Sequence, residues 1–416
     1  MRLITLVVAA ACLVATTMPS APAFRVSISV SPFAETVLKT GTRFTDGRIT
    51  ATTAEELERL FVAHGATEVY ARISTRQSVV HGAGDHSMDR GLERARLAAK
   101  LGLPFNPELG LFDSYGDIRC QPPPDFSDYG IALPGPWASL AIDQMAAALR
   151  AYGAAAAKQI VATGARVNIW DLGNEVEFGV AGVAVSPMPG GCDASAGATG
   201  EYHAPDAVNR AIGQMSAATL PMMDTARRID WLKTYLWPSE AKVLAAVAGG
   251  IRSIDPRARF STHVSGISAT QPEVAAAFFS AMRDGGFLVD EAGVSYYPTS
   301  SRTPANRLQA FKEMAIAMKR AIGRPVFIAE FGYPSAAMSG AFAWNDAVPD
   351  YPLSPEGQAS FVRDLVAWGR AEGALSGIRP WAPELVVPGW APMSLFERQG
   401  ATVTARPALD AFRPVQ

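Results

Sequence analysis

The sequence predicts a single-domain (β/α)8 TIM barrel of the α/β class, with an elaborated loop after the fourth strand. Three observations predict it. Short β-rich runs alternate with helical runs, giving eight strand candidates, seven helical patterns and the stub of an eighth, and such alternation implies parallel strands joined by helical crossovers. No glycine-rich phosphate loop follows the first strand, which weakens a doubly wound nucleotide-binding sheet. Polar and aromatic residues gather just after strands 2 to 8, where barrels of this kind build their sites.

The elements run as follows. "RVSISVS" (25–31) leads into helical "TAEELERLFVAHG", and "TEVYARIS" (67–74) into "MDRGLERARLAAKLG". "LPFNPELGLF" is the third strand, followed by the Ala-rich helix "WASLAIDQMAAALRAYGAAAAKQIVATG" and then "RVNIWDLGNE". "WLKTYLWPSEAKVLAAVAGGIRSI" leads into "ARFSTHVSG" (258–266), and "PEVAAAFFSAMRDGG" into "EAGVSYYP" (291–298). "RLQAFKEMAIAMKRAIG" precedes "PVFIAEFGYP" (325–334), "GQASFVRDLVAWGRAEG" precedes "LSGIRPWAPE" (375–384), and the chain closes on "RPALDAF". Residues 180–230 break the rhythm, and a long loop on that face is more often functional than decorative.

Apolar residues make up 49% of the 416 and charged residues 18%, with a net charge of −2. A large core is available, and nothing suggests a nucleic-acid surface. The opening "MRLITLVVAAACLVATTMPSAPAF" reads as a secretory signal over residues 1–23, leaving 24–416 as the barrel domain of a secreted or periplasmic protein. No later segment holds the ~18 uninterrupted apolar residues a spanning helix needs. The mature chain keeps Cys120 and Cys192, and in an oxidising compartment an even pair predicts a disulfide between the two loops. A monomer without a cofactor is expected. Metal chemistry is poorly supported, since "HGAGDH" (81–86) lacks the helical spacing of a zinc protease, and no G-x-S-x-G elbow is present.

Asn174 and Glu175 end the fourth strand, and Glu330 ends the seventh. Strands 4 and 7 stand on opposite sides of a barrel mouth, so the two carboxyls can face each other across a cleft. Glycoside hydrolysis needs that arrangement, with one protonated acid and one ionised carboxylate flanking the scissile bond. Strand alternation alone leaves Glu177 equivalent to Glu175, with Asp171 a further neighbour.

"GATEVYARIS", "LGNEVEFG", "GVSYYP", "VFIAEFGYP", "SPEGQASFVRDL" and "SLFERQGATVTARPALDAF" together resemble motifs of the clan A glycoside hydrolases. Within the clan they are most similar to family 53, the arabinogalactan endo-β-1,4-galactanases. The resemblance selects Glu175 as acid/base and Glu330 as nucleophile. It implies that Tyr297 hydrogen-bonds the nucleophile, that Asn174 holds a sugar 2-hydroxyl, and that Arg72 keeps Glu330 ionised. Trp381 becomes a stacking floor for a pyranose ring, while His263 and Tyr296 are substrate-side residues of the fifth and sixth strands. The third strand ends in "NPELGLFDSYGD", without the family's His and Trp, and the short "APELVVPGWAPMS" predicts no calcium ion. The substrate expected is a β-linked polysaccharide, galactan first. Mannan, xylan, glucan or galactofuranan hydrolysis and a non-catalytic glycan-binding barrel remain alternatives. Glu384 reads equally as a subsite residue or a solvated acid, and Trp231, Trp237 and Trp390 as cleft or core.

Overall fold

The computed structural model describes residues 23–78, 86–188, 210–266, 268, 271–300, 307–340 and 343–414. The leader, most of "HGAGDH" and Cys192 lie outside the described residues.

Eight strands form the barrel: β1 (Arg25–Val26), β2 (Val69–Ile73), β3 (Pro104–Leu109), β4 (Trp170–Leu172), β5 (Phe260–Val264), β6 (Glu291–Tyr296), β7 (Val326–Phe331) and β8 (Leu375–Pro380). A two-residue strand, Arg166–Val167, precedes β4 and pairs with β3. All are parallel, in the order β1-β8-β7-β6-β5-β4-β3-β2. The seam between β1 and β2 closes through individual bonds: Thr67 N–H donates to the Val26 carbonyl at 2.9 Å, and Tyr70 N–H to Ser29 Oγ at 3.1 Å. Strands β2, β5, β6 and β7 are buried at every position, because helices cover one face and the filled barrel interior covers the other.

The crossover helices are α1 (Ala54–Ala63), α2 (Met88–Leu101), α3 (Ile142–Ala162), α4 (Trp237–Arg252), α5 (Pro272–Asp284), α6 (Arg307–Ile322) and α7 (Pro355–Glu372). Their limits follow local chemistry. Thr53 and Glu56 form a capping box, Ser87 and Ser354 cap α2 and α7, and Gly102 and Gly373 end those two helices in the left-handed conformation. Helices α3 and α4 cross closely: a Cβ on Gly153 would stand 2.5 Å from the Val247 carbonyl oxygen, and one on Gly250 would stand 2.0 Å from that of Arg150. The eighth helix is a 3-10 segment, Pro407–Phe412.

The helix expected from Trp231 onward is interrupted by a π-turn at Leu232–Leu236. Pro238, in the first turn of α4, lacks an N–H and crowds the carbonyl four residues earlier, so the backbone widens there. Trp237 is core: it is fully buried and donates its indole N–H to the Glu177 carbonyl at 3.0 Å. Trp231 packs on Tyr235 with ring centroids 5.3 Å apart. After β4 the chain makes a small antiparallel pair, Gly179–Val180 with Val183–Ala184.

Candidate active site

The barrel interior beneath the mouth is charged. Tyr70 and Arg72 on β2, Asn106 and Glu108 on β3, Asp171 on β4, His263 on β5 and Arg379 on β8 are all buried and point inward, as period-two alternation requires. Arg379 donates to Glu108 at 3.1 Å and lies 3.3 Å from Asp171, while Arg72 Nε pairs with Glu108 and Tyr70 Oη donates to it at 2.8 Å. Glu108, Asp171 and His263 come close enough together to suggest a cation site, but Glu108 is already paired with Arg72 and Arg379, and Asp171 with Arg379. Burial pushes Asp171 up, yet His263 and Arg379 outweigh it and hold the carboxyl at about 2.

This layer supports the two acids above it. Arg72 Nη2 donates to Glu330 and, at 2.9 Å, to Asn174 Oδ1. The second Glu330 oxygen accepts from Tyr297 Oη at 2.8 Å. His263 Nε2 lies 2.8 Å from Asn174 Oδ1, an acceptor-only oxygen, so that nitrogen carries a proton. Its Nδ1 faces Asp171 at 3.8 Å. Burial disfavours the imidazolium, but Asp171 outweighs it and raises the histidine above its ordinary value.

The two glutamates therefore sit in opposite fields. Burial pushes the Glu330 carboxyl up, but the charges of Arg72 and His263, with the Arg72 and Tyr297 hydrogen bonds, pull it below its ordinary value. Among the described residues no cation is bonded to Glu175. Burial first, then the negative charges of Glu330 and Asp117, raise it to about 8.

The structure also separates the rival acids. Glu175 is 9% exposed and Glu330 6%, whereas Glu177 and Glu384 are 0% exposed. Gly173 (φ 78°) and Glu175 (φ 51°) are both left-handed, and this turn directs Glu177 into the next loop. There it accepts from Ser265 N–H at 2.9 Å and from Ser268 Oγ at 3.0 Å. Glu384 accepts from Ser31 N–H at 2.9 Å and Oγ at 2.5 Å, tying the loop after β8 to the segment that follows β1. Both are structural staples.

Tyr296 departs from expectation. Tyr296 shares the outward face of β6 with Ala292 and Val294, as period-two alternation requires, and stacks on Phe311 of α6 with centroids 3.8 Å apart and rings 15° from parallel. It is 1% exposed and belongs to the core. His263 likewise lies behind Asn174, fully buried, and acts on the mouth through that side chain.

The aromatic wall is wider than the sequence indicated. Half-buried Trp381 lies over the Arg72 guanidinium at 4.2 Å and meets Phe33 edge-on at 6.1 Å. Tyr297 contacts Trp344 at 5.1 Å and Trp390 at 6.3 Å. Trp344, in the long segment after β7, and Tyr115, whose phenol feels the charges of Asp117, Arg72, Glu330 and Glu175, were both missed. Their only sequence signal is an aromatic residue in a loop on the mouth side. Trp381→Ala should lower kcat/KM, since the ring that covers the Arg72 guanidinium, and so supports its bond to Glu330, is removed. Because water would then reach Arg72, the acid limb of the pH–rate profile should also move upward. An unmoved limb would separate Trp381 from Arg72.

Residues 217–409 match the sequence profile of "Glycosyl hydrolase family 53". A protein of Thermothelomyces thermophilus named arabinogalactan endo-β-1,4-galactanase is 21% identical over 337 residues, spanning 79% of this chain and 81% of that one. The fold is similar to that of the family 53 catalytic domain from Ignisphaera aggregans, with a TM-score of 0.67 at 17% identity, covering 96% of this chain and 97% of that one. It is also similar to a fungal β-1,4-galactanase structure, with a TM-score of 0.65 at 17% identity and coverage of 94% and 99%. Among the described residues no helix is long and apolar enough to cross a membrane.

Proposed function

We propose that this relative of the family 53 glycosyl hydrolases is a secreted, retaining enzyme that cuts inside a β-1,4-linked galactan by double displacement. One observation carries the mechanism: the two carboxyls at the mouth have opposite surroundings, Glu330 held by Arg72 and Tyr297 and Glu175 by the backbone N–H of Ile118. Glu330 is kept anionic by Arg72 and Tyr297, and Glu175 is kept protonated by burial and by Glu330's own charge. A Glu330 oxygen attacks the anomeric carbon while Glu175 passes its proton to the departing glycosidic oxygen, leaving a covalent glycosyl–Glu330 ester. The Glu175 carboxylate then takes a proton from water, the resulting hydroxide displaces Glu330, and both groups return to their starting states. Asn174 Nδ2 donates to the Gly116 carbonyl at 2.7 Å, and its other amide hydrogen is available to a sugar hydroxyl.

The choice of galactan rests on the relatives and not on a contact in the cleft. Secretion rests on the leader-like opening of the chain, and with it goes a bridge between Cys120 and Cys192. The test is a panel of β-1,4-galactan, mannan, xylan, β-glucan and galactofuranan, read by new reducing ends and by NMR of the first anomer released. Galactan should be preferred, with the β-anomer formed first. Release of the α-anomer would remove the covalent step. Binding without release from every glycan would favour a non-catalytic barrel, which has no need of two oppositely poised acids.

A further inference from the structure

Glu175 occupies a left-handed backbone conformation (φ 51°, ψ 57°), costly for any residue with a Cβ, at ~1–3 kcal/mol. Something must hold it there. The chain after β3 does so over a short span. The Gly116 carbonyl accepts from Asn174 Nδ2 at 2.7 Å, and Ile118 N–H donates to Glu175 Oε2 at 3.3 Å. Buried Gln121 donates its amide to the Asn174 carbonyl at 2.6 Å and to the Glu175 carbonyl at 3.3 Å. Both partners are acceptors only, so the side-chain nitrogen must face them. The segment is itself braced: Asp117 and Cys120 exchange backbone bonds at 2.9 Å, and Asp117 chelates Arg119 at 2.6 to 3.1 Å.

From this geometry we infer that Gln121 is a positioning residue for the acid/base, with residues 116–121 forming a cradle that fixes the strained Asn174–Glu175 turn. The inference rests on the reading of Glu175 as the acid. Gln121 touches neither sugar nor nucleophile. It acts by fixing where the Glu175 proton is presented, and a misplacement of about 1 Å there is enough to cost ~10²-fold.

The test uses Gln121→Met, which keeps the volume and removes both donors, and Gln121→Glu, which sets a carboxylate against two carbonyls. Two substrates are compared, β-1,4-galactan and 2,4-dinitrophenyl β-1,4-galactobioside, the latter followed by its pre-steady-state burst. Dinitrophenolate departs without a proton, so only the galactan reaction needs the acid in its first step. Gln121→Met should lower kcat on galactan ~30- to 100-fold with KM nearly unchanged, and the burst rate less than about threefold. Gln121→Glu should be worse near neutral pH and recover as the pH falls, when the new carboxyl gains a proton to donate. Glu175→Gln runs as the control. If it fails to show the same split between substrates, the acid assignment falls. If it shows the split and Gln121→Met does not, the cradle falls. A crystal structure of Gln121→Met supplies a readout independent of substrate: Glu175 should leave its left-handed conformation or release Ile118 N–H. Retention of both would overturn the inference.

Discussion

Glu330→Gln is expected to lower turnover at least ~10⁴-fold, because an amide cannot attack an anomeric carbon and the covalent route is closed. The substitution should be quiet structurally. The amide oxygen can keep Arg72 as donor, its NH2 can face Tyr297 Oη, and Arg72 retains Glu108. Loss of activity with little change in Tm would therefore be chemical. Glu330→Ala adds a sharper test, since it leaves room for a small external nucleophile. Azide should restore turnover and give the glycosyl azide of inverted, α configuration. A Glu330→Gln enzyme retaining more than a few per cent of activity, or a β-azide from the Ala variant, would mean that another group forms the intermediate.

Glu175→Gln is expected to produce two opposite effects. On galactan, kcat should fall ~10²- to 10⁴-fold, as for loss of a general acid. The wild-type rate should decline as pH rises through about 8, where Glu175 loses its proton, and the Gln variant should lack that limb. Stability should move the other way. The folded-state value of Glu175 lies above its ordinary 4.5, so its protonated form contributes stability fully below 4.5, and that contribution is lost as pH rises through about 8. A neutral isostere needs no proton, so Glu175→Gln should melt higher than the wild type at alkaline pH and nearly equally at pH 4. Equal Tm values across pH 4–9 would show that Glu175 is not held protonated by the fold. Such a trade of stability for function is common at active sites.

Much of this was legible along the chain. The barrel was, because crossover helices with ordinary caps and strands buried on both faces leave periodic marks that need no long-range information. The positions of Asn174, Glu175 and Glu330 at strand tips were legible for the same reason. Whether Glu175 or Glu177 faced the mouth was not. The two lie two residues apart on a presumed strand, and only the left-handed pair Gly173 and Glu175 breaks that equivalence. Tyr296 and Tyr297 posed the reverse problem, since adjacent residues must point to opposite faces, and only the stacking of Tyr296 on Phe311 and the bond from Tyr297 to Glu330 show which of them enters the barrel.

By itself the sequence determined the alternation of elements, the small net charge, and the acids at the ends of two opposed strands. These are local properties, written in spacing and composition. The tertiary structure alone decided the contrasting surroundings of those acids, the staple roles of Glu177 and Glu384, and the reach of Trp344, Tyr115 and Gln121 into the site. Each depends on a field or a hydrogen bond between residues tens to hundreds of positions apart, such as Arg72 with Glu330 or Gln121 with Glu175. Coulomb energy and donor geometry depend on distance in space, and closing the barrel is what sets that distance.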